Sequence, residues 1–352
     1  MKKYINLEDM TNTNCSNILD VIQKSGTVSR RQITDLTGLS WGGMTKIVNK
    51  LLENGYIVEK KEKSSTGSGR IPGYITVNTQ TNFVVGLDIN KTGLNAIVMN
   101  LSGEVLKEYR SSAFSNRKNE MLHEIKSFIS SIFCDYSSGE IIAIGVAMQG
   151  IVDSENGISV SFPGIKDWCD VPLKDMIREW FNVNVFVEHD PDCLLYPYLE
   201  NSSENLLLLR IDKSIGMAAS VKHRILKDKG ILEIAHTVAV PGGKTCSCGL
   251  CGCVEAYVAP CLDNDIPNKT AIDEFAPILA VVIKNMTALF NARKVILTGK
   301  LMHHRELLEK RLFDELDILK CKADVIFSGD DNHAVLGAAL IAIRKSINSL
   351  VI

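Results

Sequence analysis

No stretch of this 352-residue chain approaches the eighteen consecutive apolar residues that a membrane helix needs. The most apolar runs, such as Ile141–Met148 and Leu206–Leu209, are short. The N-terminus, Met-Lys-Lys-Tyr-Ile-Asn-Leu-Glu-Asp-Met, lacks the long apolar core of a signal peptide. A cytoplasmic protein without membrane contact is therefore expected. Nothing looks secreted, so the ten cysteines are not read as a disulfide framework but as free or metal-bound thiols. Strong net charge is missing too, at −2 overall, yet the charge is unevenly spread. Residues 1–80 carry eleven Lys and Arg against seven Asp and Glu, whereas 81–352 carry twenty-eight against thirty-four. A basic segment on an acidic body points to a nucleic-acid partner for the first domain alone. At 45% hydrophobic and 23% charged, the rest is ordinary globular composition, long enough for two or three domains.

What the chain does have is a dense cluster of soft ligands. His236 precedes Cys246-Ser-Cys248-Gly-Leu-Cys251-Gly-Cys253, and Glu255 follows. Thiolates and an imidazole joined by small, glycine-rich spacers suit a tetrahedral zinc ion, because the backbone can curl tightly around it. A chance run of buried thiols is the blander alternative, and four cysteines within eight residues make it the poorer one. The cluster reads as a structural zinc knuckle.

The first eighty residues carry helix punctuation. Ile18, Leu19 and Ile22 form a short helical stripe over Asn17–Lys24. Ser29-Arg-Arg-Gln32 is a capping box for a second helix, with Ile33 and Leu36 inward and an end near Gly38. Ser40 caps a third helix whose Met44, Ile47, Val48 and Leu51 form a core-facing stripe, with Gly55 beyond its end. Two short helices joined by a tight turn make a helix-turn-helix. Tyr56–Lys61 and Tyr74–Val77 read as the strands of a wing, with Lys63–Gly69 as its turn and Arg70 placed to contact phosphate or a minor groove. The DNA-facing candidates are Ser40, Trp41, Gly42, Thr45, Lys46, Asn49 and Arg70; Trp41 reads equally well as core. Gly42-Gly43 weakens the helix by roughly 1 kcal/mol per residue, which close approach to a DNA backbone would explain.

From Phe83 onward strands alternate with helical stripes: Phe83–Asp88, Gly93–Asn100, Ile141–Met148, Val183–Val187, Leu206–Ile211 and Val295–Leu297 around Met121–Phe133 and Leu173–Phe181. That alternation predicts an α/β architecture with function at the carboxyl ends of strands. The segment Leu232-Glu-Ile-Ala-His236, nine residues, Cys246-x-Cys248-Gly-x-x-Gly-Cys253-Val-Glu255 resembles the signature of the ROK family. That family groups bacterial sugar-responsive repressors with sugar kinases on a two-lobed actin/hexokinase-like, ribonuclease H-like fold. The winged helix-turn-helix with its Gly69-Arg70-Ile-Pro72 wing resembles the repressor branch of xylose- and N-acetylglucosamine-type regulators. The expected division is 1–80 for the DNA-binding domain, 81–200 for the first lobe and 201–352 for the second, zinc-bearing lobe.

The resemblance implies zinc ligands at His236, Cys246, Cys248 and Cys253. A Cys₄ set that includes Cys251 is the rival, disfavoured because one eight-residue loop would have to supply every ligand. It further implies a sugar pocket in which Glu188-His189-Asp190 stands for the family's Glu-Asn-Asp, with Glu233, His236 and Glu255 as further hydroxyl ligands. Asp190 matches the kinase base, while His189 and Gly164 stand where sugar-binding Asn residues are usual. The phosphate turns depart further. Asp88-Ile-Asn90-Lys91-Thr92 has lost both glycines of the first, Asp212-Lys-Ser-Ile-Gly216 puts a carboxylate into the second, and the third survives only as Thr298-Gly299. Between Ala259 and Phe275 a helical insertion of the family is mostly absent.

The expectation is thus a sugar-responsive DNA-binding regulator, a repressor and not an enzyme, acting as a homodimer on double-stranded operator DNA with a monosaccharide or derivative as effector. An active ROK sugar kinase using Asp190 is the rival reading, and a regulator answering to a protein partner is a third.

Overall fold

The structure, a computed structural model, describes residues 7–61, 73–137, 139–199, 202–227, 233–329 and 333–348. The N-terminal unit comprises α1 (Leu7–Ser25), β1 (Val28–Ser29), α2 (Arg30–Thr37), α3 (Trp41–Glu53), β2 (Ile57–Lys61) and β3 (Gly73–Val77). Its caps form as the residue types demand. Ser29 and Gln32 make a reciprocal capping box, and Gly38 ends α2 at φ 69, a left-handed conformation cheap for glycine. Ser40 accepts the Gly43 N–H and starts α3. β3 pairs antiparallel with both β1 and β2. The wing turn at 63–69 and Arg70 lie outside the described residues. Leu36, expected to face inward, is 63% exposed instead. A helix of eight residues presents only Ile33 to the core.

Two five-stranded sheets follow, and they share one topology. In the first lobe β4 (Phe83–Asn90), β5 (Gly93–Met99) and β6 (Val105–Ser111) form an antiparallel meander. After α4 (Lys118–Phe133), β7 (Ile141–Met148) pairs parallel with β4. A small sheet of β8 (Ile151–Asp153), β9 (Ile158–Ser161) and β10 (Cys169–Val171) precedes α5 (Leu173–Phe181). Then β11 (Asn184–His189) joins β7 in parallel and leads directly into α6 (Asp190–Leu199). In the second lobe β12 (Leu206–Ile211), β13 (Ile215–Val221) and β14 (Arg224–Ile225) repeat the meander. Next come α7 (Glu255–Val258), β15 (Leu262–Asp263), β16 (Ile266–Pro267) and α8 (Lys269–Phe290). The parallel strands β17 (Lys294–Thr298) and β18 (Asp324–Phe327) flank α9 (Arg305–Ile318), and α10 (His333–Asn348) closes the chain. Counting only its own strands in chain order, each sheet thus runs third, second, first, fourth, fifth.

Fully buried strands such as β4 are apolar on both faces over most of their length, from Phe83 to Leu87 in β4, because helices cover both sides. The final helix does not stay with the second sheet. It crosses back to pack on β4, β7 and α6 of the first lobe, so the stretch 201–352 contributes to both halves. Glycines make the approach possible: a Cβ on Gly86 would lie 2.0 Å from the Val335 carbonyl oxygen, and one on Gly145 1.9 Å from that of Ala338. The N-terminal unit is likewise not separate in its packing. Ile18, Leu19 and Ile22 of α1 and Met44 and Leu51 of α3 share one core with Val335, Ala339 and Ile347 of α10. Truncating Ile18 to Ala would cost about 2–5 kcal/mol. Between Ala259 and Phe275, β15 and β16 form a two-residue hairpin through Asn264 and Asp265, both left-handed. Among the described residues no helix is long and apolar enough to cross a membrane.

Candidate functional site

On α3 the core stripe Met44, Ile47, Val48 and Leu51 is buried, which turns Trp41, Gly42, Lys46 and Asn49 outward. Trp41 is 57% exposed and so belongs to the open face, not the core. Thr45 is half-buried, and its enclosed hydroxyl has no hydrogen-bond partner among the described residues. It therefore sits at the margin of that face. Asn49 accepts a hydrogen bond from Arg30 Nη1 at 3.1 Å, and Arg30 also pairs with Glu59 at 3.4 Å. Arg30 thus ties α3 to β2.

The cysteine loop is built around Gly252, whose φ of 83 is left-handed and whose Cβ would fall 1.8 Å from the Val240 carbonyl oxygen. Bridges from Val238 to Cys253 and from Thr245 to Cys251 fold the segment back on itself. The ligand atoms of His236, Cys246, Cys248 and Cys253 all lie within 4.8 Å of one another, an arrangement able to hold a metal ion. Cys246 Sγ stands 3.6 Å from His236 Nδ1, and Cys248 Sγ 3.7 Å from Cys253 Sγ. Sulfur ligands about 2.3 Å from a tetrahedral ion stand about 3.7 Å apart, close to the Cys248–Cys253 separation. Cys251 is exposed, outside this group, and faces Thr245 Oγ1 at 3.9 Å. The backbone N–H of Cys248 draws the Cys246 thiol down to about 7, although burial opposes it, and the side chains of Cys248, His236 and Ser247 add to the effect.

Between the lobes lies a cleft of about 570 Å³, lined by the turns after β4, β12 and β17. These turns are the segments compared above with phosphate turns, and three of their amides are already bonded. Asn90 Oδ1 accepts from the Thr92 N–H at 2.8 Å, Gln149 Oε1 from Lys91 at 3.1 Å, and Asp212 Oδ1 from Lys300 at 2.7 Å. The guanidinium of Arg210 crosses from β12 to the Asp190 carboxylate and also bonds Asp212 through Nε at 2.9 Å. Although burial opposes its charge, Asp190, Asp212 and Asp88 together raise the Arg210 pKa and keep it protonated.

Asp190 and His189 adjoin at the β11–α6 junction, with His189 Nε2 3.5 Å from Asp190 Oδ1. Burial presses the His189 imidazole below its ordinary value, with Asp190 and Glu233 opposing and Arg210 reinforcing. Glu233 is exposed, while His236 belongs to the thiol cluster. Glu255, at the head of α7, accepts from Ser214 Oγ at 3.1 Å and the Ile215 N–H at 3.3 Å. Among the described residues none of Glu233, His236 and Glu255 hydrogen-bonds Asp190 or His189. Glu188 points away from the cleft, fully buried, and receives both Lys227 and Lys345. Burial raises its carboxyl, but the two ammonium groups outweigh burial and hold it below its usual value. Sequence spacing gives no sign of the Arg210–Asp190 contact or of this lysine pair, because each joins elements distant in the chain.

Comparison with known proteins agrees with this geometry. The ROK family model matches residues 84–261, and a winged helix-turn-helix DNA-binding model matches residues 16–58. The xylose repressor of Bacillus subtilis is 24% identical over 331 residues, covering 85% of each chain. The Escherichia coli DNA-binding transcriptional dual regulator NagC is 23% identical over 99% of this chain and 96% of its own. The crystal structure of a ROK family transcriptional regulator, a homologue of the E. coli Mlc protein, superposes with a TM-score of 0.83 at 19% identity, covering 97% of this chain and 98% of that one. A ROK family glucokinase from Streptomyces griseus, bound to glucose and AMPPNP, covers 74% of this chain and 99% of its own at a TM-score of 0.61 and 18% identity. With half of its length matched by the family model, and a winged helix-turn-helix ahead of it, this chain belongs to the ROK family.

Proposed function

We propose that the protein is a sugar-responsive DNA-binding transcriptional regulator, a repressor, whose kinase-like body does not transfer phosphate. The observation that carries this reading is the union of a winged helix-turn-helix with a cleft whose phosphate-facing amides are taken by Asn90, Gln149 and Asp212. A phosphate oxygen entering the last turn would meet the Asp212 carboxylate and be repelled. Asp190, the counterpart of the kinase base, is already engaged by the Arg210 guanidinium and is not free to take a proton from a sugar hydroxyl. The names of the xylose and N-acetylglucosamine repressors support the repressor assignment. An ATP-consumption assay with a panel of hexoses separates this reading from an active kinase, since robust sugar-dependent turnover would favour the kinase.

The four-ligand cluster is assigned to one structural zinc ion, held by His236, Cys246, Cys248 and Cys253. Zinc there would fix the loop that leads into Glu255. Asp190 and His189 from the first lobe, with Glu233, His236 and Glu255 from the second, are proposed to hold the hydroxyls of a neutral monosaccharide. Carboxylates and imidazoles suit such a ligand because they supply the acceptors and donors that hydroxyls need. A ligand bound from both lobes favours the closed cleft by its differential affinity for the two states. α1 and α3 share a core with α10, so a change in lobe angle reaches the DNA-binding unit. In a homodimer on a palindromic operator, that would alter the spacing of two reader helices, which a fixed half-site separation does not tolerate. A cytoplasmic location follows from this role.

A further inference from the structure

A second recess lies at the joint between the winged helix and the body. It is a groove of about 960 Å³ walled by α1, α6, α10 and the tip of the β13–β14 hairpin. Six cationic side chains line it, Lys24, Lys222, Arg224, Lys227, Arg344 and Lys345, against one carboxylate, Asp20. Residues 81–352 carry a net charge of −6, so the groove is not the overflow of a basic surface. Part of the charge is committed: Lys227 and Lys345 reach the buried Glu188, and Arg344 pairs with Asp20 at 3.4 Å. Among the described residues no carboxylate pairs with Lys24, Lys222 or Arg224.

The hairpin tip is held in place against its own backbone preference. Lys222 and His223 have φ of 52 and 61, the left-handed pair of a two-residue turn that ordinarily takes Asn-Gly. Residues with a Cβ adopt that conformation only at an energetic cost. The Lys222 N–H is anchored on Asn205 Oδ1 at 3.0 Å. Asn-Gly would relieve the strain and would also remove a cation from the rim of the groove. No residue of the reader helix α3 lines the groove, so DNA bound to that helix does not explain the charge.

We propose that this groove binds a small polyanion bearing phosphate groups, and that the anion bridges the β13–β14 hairpin of the second lobe to α1. Arginine and lysine at several points around a recess suit such a group, because its oxygens accept in several directions at once. An anion drawn to Arg344 competes with Asp20, so occupancy changes how α1 is seated on the body. The inference is independent of the sugar and operator readings, since it is tested without either. The full chain is titrated with inorganic pyrophosphate at constant ionic strength, with binding followed by calorimetry and by thermal shift. Saturable binding that raises the Tm is expected in the wild type. Lys222→Gln with Arg224→Gln should weaken it at least tenfold, as should Lys24→Gln alone, while the Tm without pyrophosphate stays unchanged. Arg224→Lys should retain most of the affinity. Absence of saturable binding, or equal affinity in wild type and both glutamine variants, would overturn the proposal. So would a loss of DNA binding in the double variant with no pyrophosphate binding in the wild type, because the cations would then be an extension of the DNA contact.

Discussion

Arg210 on β12 reaches across the cleft to the carboxylate of Asp190 at the head of α6, an ion pair between the two lobes. Asp190 is almost wholly buried, and Arg210 is shared with Asp212 at 2.9 Å. Removing one partner of such a pair leaves a charge without compensation, which typically costs about 3–5 kcal/mol. Arg210→Ala should therefore destabilise the chain strongly, and adding Asp190→Asn should recover part of the loss. Denaturant melts of both singles and the double give the coupling directly. Strict additivity would mean that the pair does not tie the lobes together.

The metal assignment separates by single substitutions. Elemental analysis should find one zinc per chain in the wild type and in Cys251→Ser, and none in Cys253→Ser. Cys253→Ser should also lose cooperative unfolding of the second lobe, because structural zinc contributes folding free energy. Zinc kept in Cys253→Ser and lost in Cys251→Ser would exchange His236 for Cys251 in the ligand set.

For the DNA interface, Lys46 is exposed on the face of α3 that also carries Trp41. Lys46→Ala should weaken binding similarly across sequences and reduce the salt slope by about 1 if it neutralises one phosphate. DNA selected from a random pool should show two half-sites separated by about one or two helical turns. A monomer that binds a single unrepeated site at full affinity would contradict the dimer.

Asp192 in the first turn of α6 carries a pH signature. Burial raises its carboxyl to about 7 from an ordinary value of 3.8, with Glu188 and Asp190 adding to the rise and Lys227 opposing it. Between those values the native chain keeps a proton that the unfolded chain has released. The protonated carboxyl's contribution to stability is complete below about pH 4 and is withdrawn as the pH rises to 7. Asp192→Asn, which cannot ionise, should thus raise the Tm clearly at pH 8 and little at pH 4. The difference is at most about 4 kcal/mol, at roughly 1.4 kcal/mol per pKa unit. An equal gain at both pH values would contradict the burial argument.

Local features of this chain were legible because their causes are local. Ser29, Gln32 and Ser40 announce helix starts through hydrogen bonds spanning three residues. The apolar runs of β4, β7 and β12 announce buried strands. The proximity of His236, Cys246, Cys248 and Cys253 follows from a short, glycine-rich loop. What escaped was long-range. An apolar stripe on α10 does not say which sheet it covers, and it is Gly86 and Gly145, some 190–250 positions earlier, that admit it to the first lobe. Lost glycines signalled impaired phosphate turns, but not that Asn90, Gln149 and Asp212 occupy the vacated amides. Leu36 misled because helical periodicity assumes a helix long enough to have a continuous buried face.

The central claim, that a sugar bound in the body changes DNA binding, is tested by operator affinity with and without ligand. DNA selected by the protein itself serves as operator, and fluorescence anisotropy is followed across a panel of neutral monosaccharides whose binding is established by calorimetry. The expected result is that a bound sugar lowers operator affinity in the wild type, while Glu255→Gln abolishes the response and leaves sugar-free DNA binding intact. A sugar that binds the protein yet leaves operator affinity unchanged would contradict the account, whatever the zinc content proves to be.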